Sequence, residues 1–299
     1  MDKVVAYYID IISASTLTII GFIGNTLNIY IMTRPKLLKN PFFRYMISSS
    51  FFDLFNIFFL WISPSFPCLR LNSVSLYCKL NCYFAFLFSH LSPWMNVLSS
   101  LDRYLSVKYP TKFKFREKFK FQLIAILLLC SLVSLIDAPF AILADINNSS
   151  SCSGVAPKYM PFITNQQASF FMVFLSALME TILPCSIMVL STCFIGYELI
   201  VLKKKTVNKK NFKKEKKMLK TLSSLNIFFF ITTAPYSILI LVYLILNGHF
   251  YGTLSYYIFH NVYRIYSSFS FFIFLASNTL FREHFISLIS CFGKHKKSI

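Results

Sequence analysis

The chain has 299 residues, of which 56% are hydrophobic and only 14% are charged. That balance excludes an ordinary soluble domain, in which about 25% of residues are charged. The formal net charge of +19 would fit a nucleic-acid-binding protein if the basic residues were interleaved along one exposed face. They stand between long apolar runs instead, so the composition favours an integral membrane protein and argues against a nucleic-acid partner.

Seven apolar runs are long enough to cross a bilayer as helices. Crossing takes about 20 mostly apolar residues, and a helix is favoured because it satisfies its own backbone hydrogen bonds in hydrocarbon. We predict an all-α integral membrane protein, a seven-transmembrane helix bundle that forms a single domain, 1–299. The predicted helices cover residues 9–32, 42–62, 77–107, 121–144, 166–202, 218–246 and 255–275, followed by a short amphipathic helix at about 279–290.

Lysine and arginine cluster in the loops on one side of the predicted bundle. Because cytoplasmic loops carry the excess of these residues, the pattern predicts an extracellular N-terminus and a cytoplasmic C-terminus in the plasma membrane. The first apolar run has no basic leader and exceeds a signal-peptide core in length, so we predict that it is retained. Asn147 and Asn148 begin two glycosylation sequons in a loop that this orientation places outside.

Eight cysteines are scattered along the chain without paired CxxC spacing or histidine partners. This pattern predicts no metal site of the zinc type and at most one or two disulfide bonds. Burial as small apolar side chains is the expected state of Cys82, Cys130, Cys185 and Cys193. The pairing of Cys68 stays open.

The third predicted helix ends in Asp102-Arg103-Tyr104, and a basic loop follows it. Further marked positions occur in a fixed order along the chain: Gly24, Asn25, Asp53, Pro184, Phe229 and Pro235. Together these residues resemble the motifs of rhodopsin-like (class A) G-protein-coupled receptors and cover almost the entire chain. The resemblance implies a receptor and not an enzyme, with an extracellular ligand and a heterotrimeric G protein as partners.

The same resemblance implies roles for individual residues. Cys78 and Cys152 resemble the family's disulfide-bonded pair. Arg103 is implied to pair with Asp102 at rest, and Glu215 stands where related receptors often place an acid that bridges to this arginine; a solvated charge is the alternative for Glu215. The implied switch residues are Asp102, Arg103, Tyr104, Pro184, Glu215, Phe229, Pro235 and Phe274, and Cys291 is a candidate for palmitoylation.

Several positions depart from the family's pattern. The helix-four tryptophan falls near Leu129 and Cys130, and the helix-six toggle tryptophan is Thr233. The Asn-Pro pair of helix seven is Ser270-Phe271. These changes indicate a divergent receptor whose activation path differs in detail from that of its relatives.

Ionisable residues inside the predicted helices need a physical reason, because a charge near the bilayer centre costs about 2.5 to 3.5 kcal/mol on insertion scales. Asp53 resembles the family's sodium-site aspartate, with Ser92 and Ser270 as oxygen partners. An allosteric sodium ion is therefore the one cofactor that we consider. The alternative is a neutral Asp53 hydrogen-bonded between helices.

A ligand site is predicted in the outer half of the bundle. Helix three carries Ala85 where related amine receptors carry an aspartate, which argues against a small amine ligand. We predict that Glu180, Tyr236, His260 and Arg264 contact the ligand, since such polar groups suit the charges of a peptide. An ion pair between Glu180 and Arg264 that only holds helices together is the alternative.

The segment 266–282 is similar in pattern to that of invertebrate receptors for FMRFamide-type neuropeptides. A short amidated peptide is therefore the preferred ligand class. A divergent chemosensory receptor for small molecules is the nearest alternative. A transporter or channel, in which Glu180 and Arg264 mark a substrate path, is a further one. The basic loops are also expected to bind anionic membrane lipid.

Overall fold

The computed structural model describes residues 2–59, 75–109, 118–143, 166–205, 209–245 and 254–295. Every regular element in these ranges is helical. The helices pack against one another along their length and expose apolar side chains on the outside. The predicted class, an all-α bundle of membrane helices, is therefore confirmed.

Eight helices longer than one turn occur in the described residues, together with the single-turn helix Pro35–Leu38. They are α1 (Asp2–Met32), α2 (Pro41–Ile57), α3 (Ser75–Lys108), α4 (Phe119–Leu143), α5 (Gln166–Ala177 and Leu183–Lys205, joined by the π-helical turn Leu178–Ile182), α6 (Lys209–Ile245), α7 (Leu254–Ser277) and α8 (Thr279–His295).

Two helices begin well before their apolar runs. α1 begins at Asp2 instead of Ile9, and α6 begins at Lys209 instead of Met218. An apolar run marks only the part of a helix that crosses the hydrocarbon core of the membrane. The helix itself can extend beyond that run through residues that favour helix formation, such as lysine. The predicted end of the second helix, Ile62, lies outside the described residues.

Four described helices contain a stretch that is long and apolar enough to cross a membrane: Tyr8–Met32, Phe119–Phe140, Phe171–Val201 and Glu215–Val242. α3 is long but carries buried polar residues, among them Ser92, Asn96 and Ser99. Because α3 packs against α2, α4 and α5, these side chains face protein and not lipid. A hydropathy criterion therefore underestimates the central helix.

Large apolar side chains cover the outside of the bundle. On α4, Leu128, Leu135 and Ile142 are 66%, 74% and 73% exposed. A contiguous apolar surface of this kind would drive association in water, whereas in a bilayer it meets lipid tails that are equally apolar. The chain is thus a multi-pass membrane protein.

α1 and α7 approach each other closely at Gly21. A Cβ atom at this position would lie 2.6 Å from Ile57 Cδ1 and 2.9 Å from Ser268 Oγ. Small residues permit such close approach of helix backbones in membranes. One turn further along α1, the Asn25 side-chain amide donates a hydrogen bond to the Ser267 carbonyl oxygen at 2.8 Å. These contacts fix the part of α7 that borders the site.

Candidate ligand cavity and switch residues

A small cavity lies inside the bundle between α2, α3, α5, α6 and α7. Its free space is about that of one water molecule. Among the described residues, its lining contains two carboxylates and no lysine, arginine or histidine, so its potential favours a positively charged or proton-donating occupant. The lining residues are Asp53, Asn56, Ser89, Ser92, Pro93, Glu180, Phe229, Thr233, Tyr263, Tyr266 and Ser267.

Glu180 reaches the cavity from the π-helical turn of α5. Its side chain is buried, and the hydroxyl groups of Ser89 and Tyr263 both donate hydrogen bonds to its Oε1 atom. The two hydroxyl oxygens lie 2.6 Å from each other. One carboxylate therefore joins α3, α5 and α7 at a single point.

The local sequence explains why α5 widens at Glu180. Pro184 has no backbone N–H, so the carbonyl group of Glu180 loses its regular hydrogen-bond donor four residues later. The indole Nε1 of Trp94 in α3 donates to the carbonyl oxygen of Met179 at 2.9 Å, which satisfies a backbone group of the same turn. π-helical turns occur frequently at functional sites, and here the turn presents Glu180 to the cavity.

Asp53 lies at another part of the cavity wall. Its side chain is buried, and its Oδ1 atom has no hydrogen-bond partner in the described part of the chain. Ser92 lines the same cavity, and its hydroxyl oxygen lies 3.1 Å from that of Ser49. A buried carboxylate oxygen without a partner favours a proton or a small cation, because transfer of a charge into apolar surroundings is costly.

The oxygen atoms of Asp53 and Ser92 fit a sodium ion, since carboxylate and hydroxyl oxygens are ligands for hard cations. The third predicted ligand, Ser270, is not among the residues that line this cavity. Its hydroxyl donates to Asn25 Oδ1 at 3.2 Å and accepts from Asn28 Nδ2 at 3.0 Å. These two asparagines in α1 hold Ser270 away from the cavity, whose α7 wall is formed by other residues.

Arg264 belongs to a second polar cluster, between α7 and α1. Its guanidinium group donates to Asp10 Oδ1 at 2.9 Å and to Asn261 Oδ1 at 2.8 Å. The predicted alternative of an ion pair between Glu180 and Arg264 is therefore wrong. The physical reason is that Asp10 of α1 faces α7, so that Arg264 has an acid of its own.

The four predicted ligand residues divide between these two places. Glu180 lines the cavity. The ring of Tyr236 stacks on that of His260 at 5.3 Å and lies 5.2 Å from that of Tyr263. His260 contacts Arg264 through Nδ1 at 3.3 Å. Glu180 and Tyr263 therefore belong to the cavity, whereas Tyr236, His260 and Arg264 do not line it.

The chain also contains a buried ion-pair geometry that the sequence analysis missed. His90 Nδ1 lies 2.9 Å from Asp137 Oδ1 and 3.1 Å from Oδ2, and both residues are fully buried between α3 and α4. His90 Nε2 lies 3.4 Å from Ser176 Oγ in α5. Ionisable residues inside predicted membrane helices were the available signal, because such residues generally have a partner.

At the opposite end of α3, Arg103 makes two contacts. Its guanidinium group donates to Asp102 Oδ2 at 2.6 Å and reaches Met218 Sδ at 3.7 Å. The predicted bridge from Glu215 to Arg103 is absent among the described ion pairs. Met218, one turn further along the same helix, occupies that contact, so Glu215 lies too far out along α6. We call the end of the bundle that holds Arg103 and Met218 the basic end.

Three further predicted switch residues lie within α5 and α6, where Phe229 and Pro184 are buried and Pro235 is half-buried. Phe229 of α6 lines the cavity and packs edge-on against Tyr266 at 4.8 Å. Pro235 lies inside α6, and Pro184 lies two residues after the π-helical turn of α5. Phe229 and Tyr266 therefore connect α6 and α7 directly beside the two acids.

Two predicted switch residues lie toward the basic end. Tyr104 accepts a hydrogen bond from Lys108 Nζ at 2.7 Å through its hydroxyl group. Phe274 is buried between Phe42 and Phe281, with ring centroids at 6.3 and 5.7 Å. Phe274 thus ties α7 to α2 and α8 as a packing residue.

The covalent modifications cannot be placed from the described residues. Cys152, Asn147 and Asn148 lie outside them, and Cys78 and Cys291 lie in α3 and α8 with side chains that are also outside the description. The disulfide, glycosylation and palmitoylation therefore stay predictions. Cys130 and Cys185 are half-buried free thiols. Cys193 is an exposed free thiol, so its expected burial is wrong.

A membrane bundle with a buried polar cavity, and with an Asp-Arg-Tyr sequence at one end of its central helix, defines a seven-helix membrane receptor. The family model of the 7 transmembrane receptor (rhodopsin family) matches residues 24–279. The chain belongs to this family and is a G-protein-coupled receptor. No curated protein matches the chain as a relative.

Proposed function

We propose that this receptor binds a short extracellular peptide at the cavity and activates its G protein through Arg103. The shared carboxylate of Glu180 supports this proposal more than any other feature. A ligand group that contacts Glu180 competes with Ser89 and Tyr263, and so changes the contacts of α3, α5 and α7 at once. Such differential contacts are what a ligand needs in order to shift a conformational equilibrium.

α6 connects the cavity to the basic end in this proposal. Phe229 lines the cavity, and Met218, on the same helix, contacts Arg103 at 3.7 Å. A movement of α6 removes Met218 from Arg103 and frees the guanidinium group for a G protein. Helix shifts of this type are a common form of switching transition. The arginine paired with Asp102 at 2.6 Å then represents the resting state.

The proposed orientation has the N-terminus outside and the basic end in the cytoplasm. Arg103 and the lysine-rich start of α6 lie together at that end, as the positive-inside rule requires. A disulfide between Cys78 and Cys152, glycans on Asn147 or Asn148, and a lipid on Cys291 belong to the same proposal. A tag that carries a cysteine, placed at one terminus at a time, distinguishes the two orientations. In intact cells only a tag on an extracellular terminus is labelled.

A second candidate function is chemosensory detection of small molecules. The cavity supports it, because free space of about one water molecule admits a small ligand group and no folded peptide. A peptide would insert one small group, such as its terminus, and a small odorant would likewise place only one of its groups in this space. A transporter or channel, the remaining alternative, does not fit a chain that belongs to a receptor family.

G-protein activation in cells that express the full chain tests the proposed function. Amidated neuropeptides and small odorants are applied in parallel, and Arg103→Ala at matched surface expression is the control. A peptide response that Arg103→Ala abolishes supports the proposal. A response to odorants alone favours the second candidate, and a peptide response that survives Arg103→Ala contradicts coupling through this residue.

A sodium ion at Asp53 and Ser92 is a separate part of the proposal. Sodium chloride is expected to lower agonist affinity relative to choline chloride at equal ionic strength, and Asp53→Asn is expected to abolish the difference. Equal effects of the two salts on the wild-type receptor would remove the sodium site.

A further inference from the structure

Glu180 is a buried acid whose partners are hydroxyl groups. Ser89 and Tyr263 both donate to its Oε1 atom, and within the described ranges it forms no ion pair. A hydroxyl group satisfies part of a carboxylate's hydrogen-bonding capacity but does not neutralise its charge. Asp102 and Asp137 differ in this respect, since Arg103 and His90 stand beside them.

The basic residue that follows Tyr263 in α7 does not supply the missing charge. Arg264 is engaged by Asp10 at 2.9 Å and by Asn261 at 2.8 Å, on the side of α7 that faces α1. Arg264 is not among the residues that line the cavity. Glu180 therefore does not share the Arg264 charge through an ion pair.

A second carboxylate strengthens the negative potential around Glu180. Asp53 lines the same cavity, and its Oδ1 atom has no hydrogen-bond partner in the described structure. Two acids in one enclosed cavity with no basic lining residue concentrate negative potential there. Burial away from water makes an uncompensated carboxylate costly, so an entering cation gains more here than on an exposed surface.

The size of the cavity decides which cation fits. Its free space is about that of one water molecule. An ammonium group is compact and carries three donors, whereas a guanidinium group is a planar fork with five donors and needs more room. The rings of Phe229 and Tyr263 in the wall add a favourable cation–π contribution for a group that sits over them.

We propose that Glu180 binds a primary ammonium group of the receptor's ligand in this cavity. This step rests on the proposed receptor function and names the chemistry that its ligand carries. It also replaces the expectation against amines that followed from Ala85 in α3, because the acid comes from α5 instead. Two sources carry this chemistry, the amino terminus of a short peptide and a small free amine.

Thermal unfolding of the purified full chain in lipid nanodiscs tests the proposal. A thiol-reactive dye reports the transition as the free thiols Cys130 and Cys185 become accessible. The probes are n-butylammonium chloride, neutral n-butanol and choline chloride at equal ionic strength. Near saturation we expect n-butylammonium to raise Tm by about 2 °C, and we expect n-butanol and choline to leave Tm unchanged.

Matched variants identify the residue responsible. Glu180→Gln retains the side-chain shape and is expected to abolish the n-butylammonium shift. Glu283→Gln, which removes an exposed carboxylate from α8, is expected to retain it. Thr233→Leu fills the cavity from α6 without a change of charge and is expected to abolish the shift, which keeps the test decisive if Glu180→Gln does not fold.

The source of the ammonium group is resolved with phenylalaninamide and its N-acetyl form. A larger shift with phenylalaninamide than with n-butylammonium indicates a peptide amino terminus, and the reverse order indicates a small amine. An equal shift with the acetylated form, a shift that survives Glu180→Gln, or no shift in the wild-type receptor would overturn the proposal. The unfolding measurement needs no G protein. It therefore tests ammonium binding even if signalling through Arg103 fails.

Discussion

Two neighbouring residues of α3, Ser89 and His90, meet two different buried acids. His90 contacts Asp137 of α4 at 2.9 Å, and both side chains are fully enclosed. Ser89 contacts Glu180 of α5, whose carboxylate opens onto a cavity and shares its Oε1 atom with Tyr263. Both acids are buried in the membrane bundle, yet only Asp137 is within hydrogen-bond distance of a side chain that can carry the opposite charge.

The difference separates a structural acid from a ligand-binding acid. Asp137 has its hydrogen-bond partner inside the protein and does not line the cavity that Glu180 borders. Glu180 has hydroxyl partners that compete poorly with a cation, and it has space. Burial alone therefore does not identify a functional acid in a membrane bundle; the chemistry of its partners and the free volume beside it do.

The largest expected effect is that of Asp137→Leu. Removal of one partner from a buried charged pair costs about 3–5 kcal/mol, because the other partner is left without compensation. We expect a clear fall in Tm and in surface expression, measured by thermal unfolding in nanodiscs and by flow cytometry. A Tm within 1 °C of the wild type would show that His90 and Asp137 contribute little.

The double variant His90→Leu, Asp137→Leu is the control for this effect. Replacement of both members of a buried pair by apolar residues is often neutral or stabilising. The double variant should therefore recover most of the stability that Asp137→Leu loses. Once stability has recovered, any remaining change in the signalling of the double variant reflects how α4 packs in the bundle.

Asp102, at the basic end, is a third acid that can be compared with Asp137 and Glu180. It accepts a hydrogen bond from Arg103 at 2.6 Å, and charge-assisted hydrogen bonds contribute about 1.5–3 kcal/mol. Asp102→Asn weakens this restraint and is expected to raise basal G-protein activation about tenfold. Glu215→Ala, which removes an acid that does not contact Arg103, is the matched control and should leave basal activation unchanged; equal basal activity of the two variants contradicts the restraint.

Trp94→Phe tests whether the π-helical turn holds Glu180 in place. The variant removes the donor to the Met179 carbonyl oxygen, a hydrogen bond of about 1 kcal/mol. We expect a small fall in Tm together with a weaker ammonium-dependent shift. If Trp94→Phe lowers Tm but keeps the full ammonium shift, the turn positions Glu180 without help from α3.

The helices could be predicted from the sequence because hydrocarbon imposes length and apolarity on each span. The Arg103–Asp102 contact was implied by the resemblance of Asp102-Arg103-Tyr104 to the family's motif. Partners on different helices were harder. Hydropathy shows that a residue is in a helix but not which neighbouring helix its side chain faces. The resemblance predicts Ser270 as an oxygen partner of a sodium ion at Asp53, whereas its hydroxyl group donates to Asn25 in α1.

The pair His90 and Asp137 was missed for a related reason. The two residues are separated by 47 positions, and their contact depends on the relative rotation of α3 and α4. Each residue on its own is only an unusual polar group in an apolar run. The position of Glu180 likewise depends on a π-helical turn, which arises from Pro184 and Trp94 together and has no pattern of its own in the sequence.

The smallest expected effect on stability is that of Glu180→Gln in the absence of ligand. The glutamine side-chain oxygen can still accept hydrogen bonds from Ser89 and Tyr263, and the buried charge is gone, so we expect a change below about 1 kcal/mol of either sign. Asp137→Asn, measured in the same way, should cost more because it removes the charge that compensates His90. Equal losses for the two variants would mean that both acids are structural and that the free volume beside Glu180 has no bearing on its role.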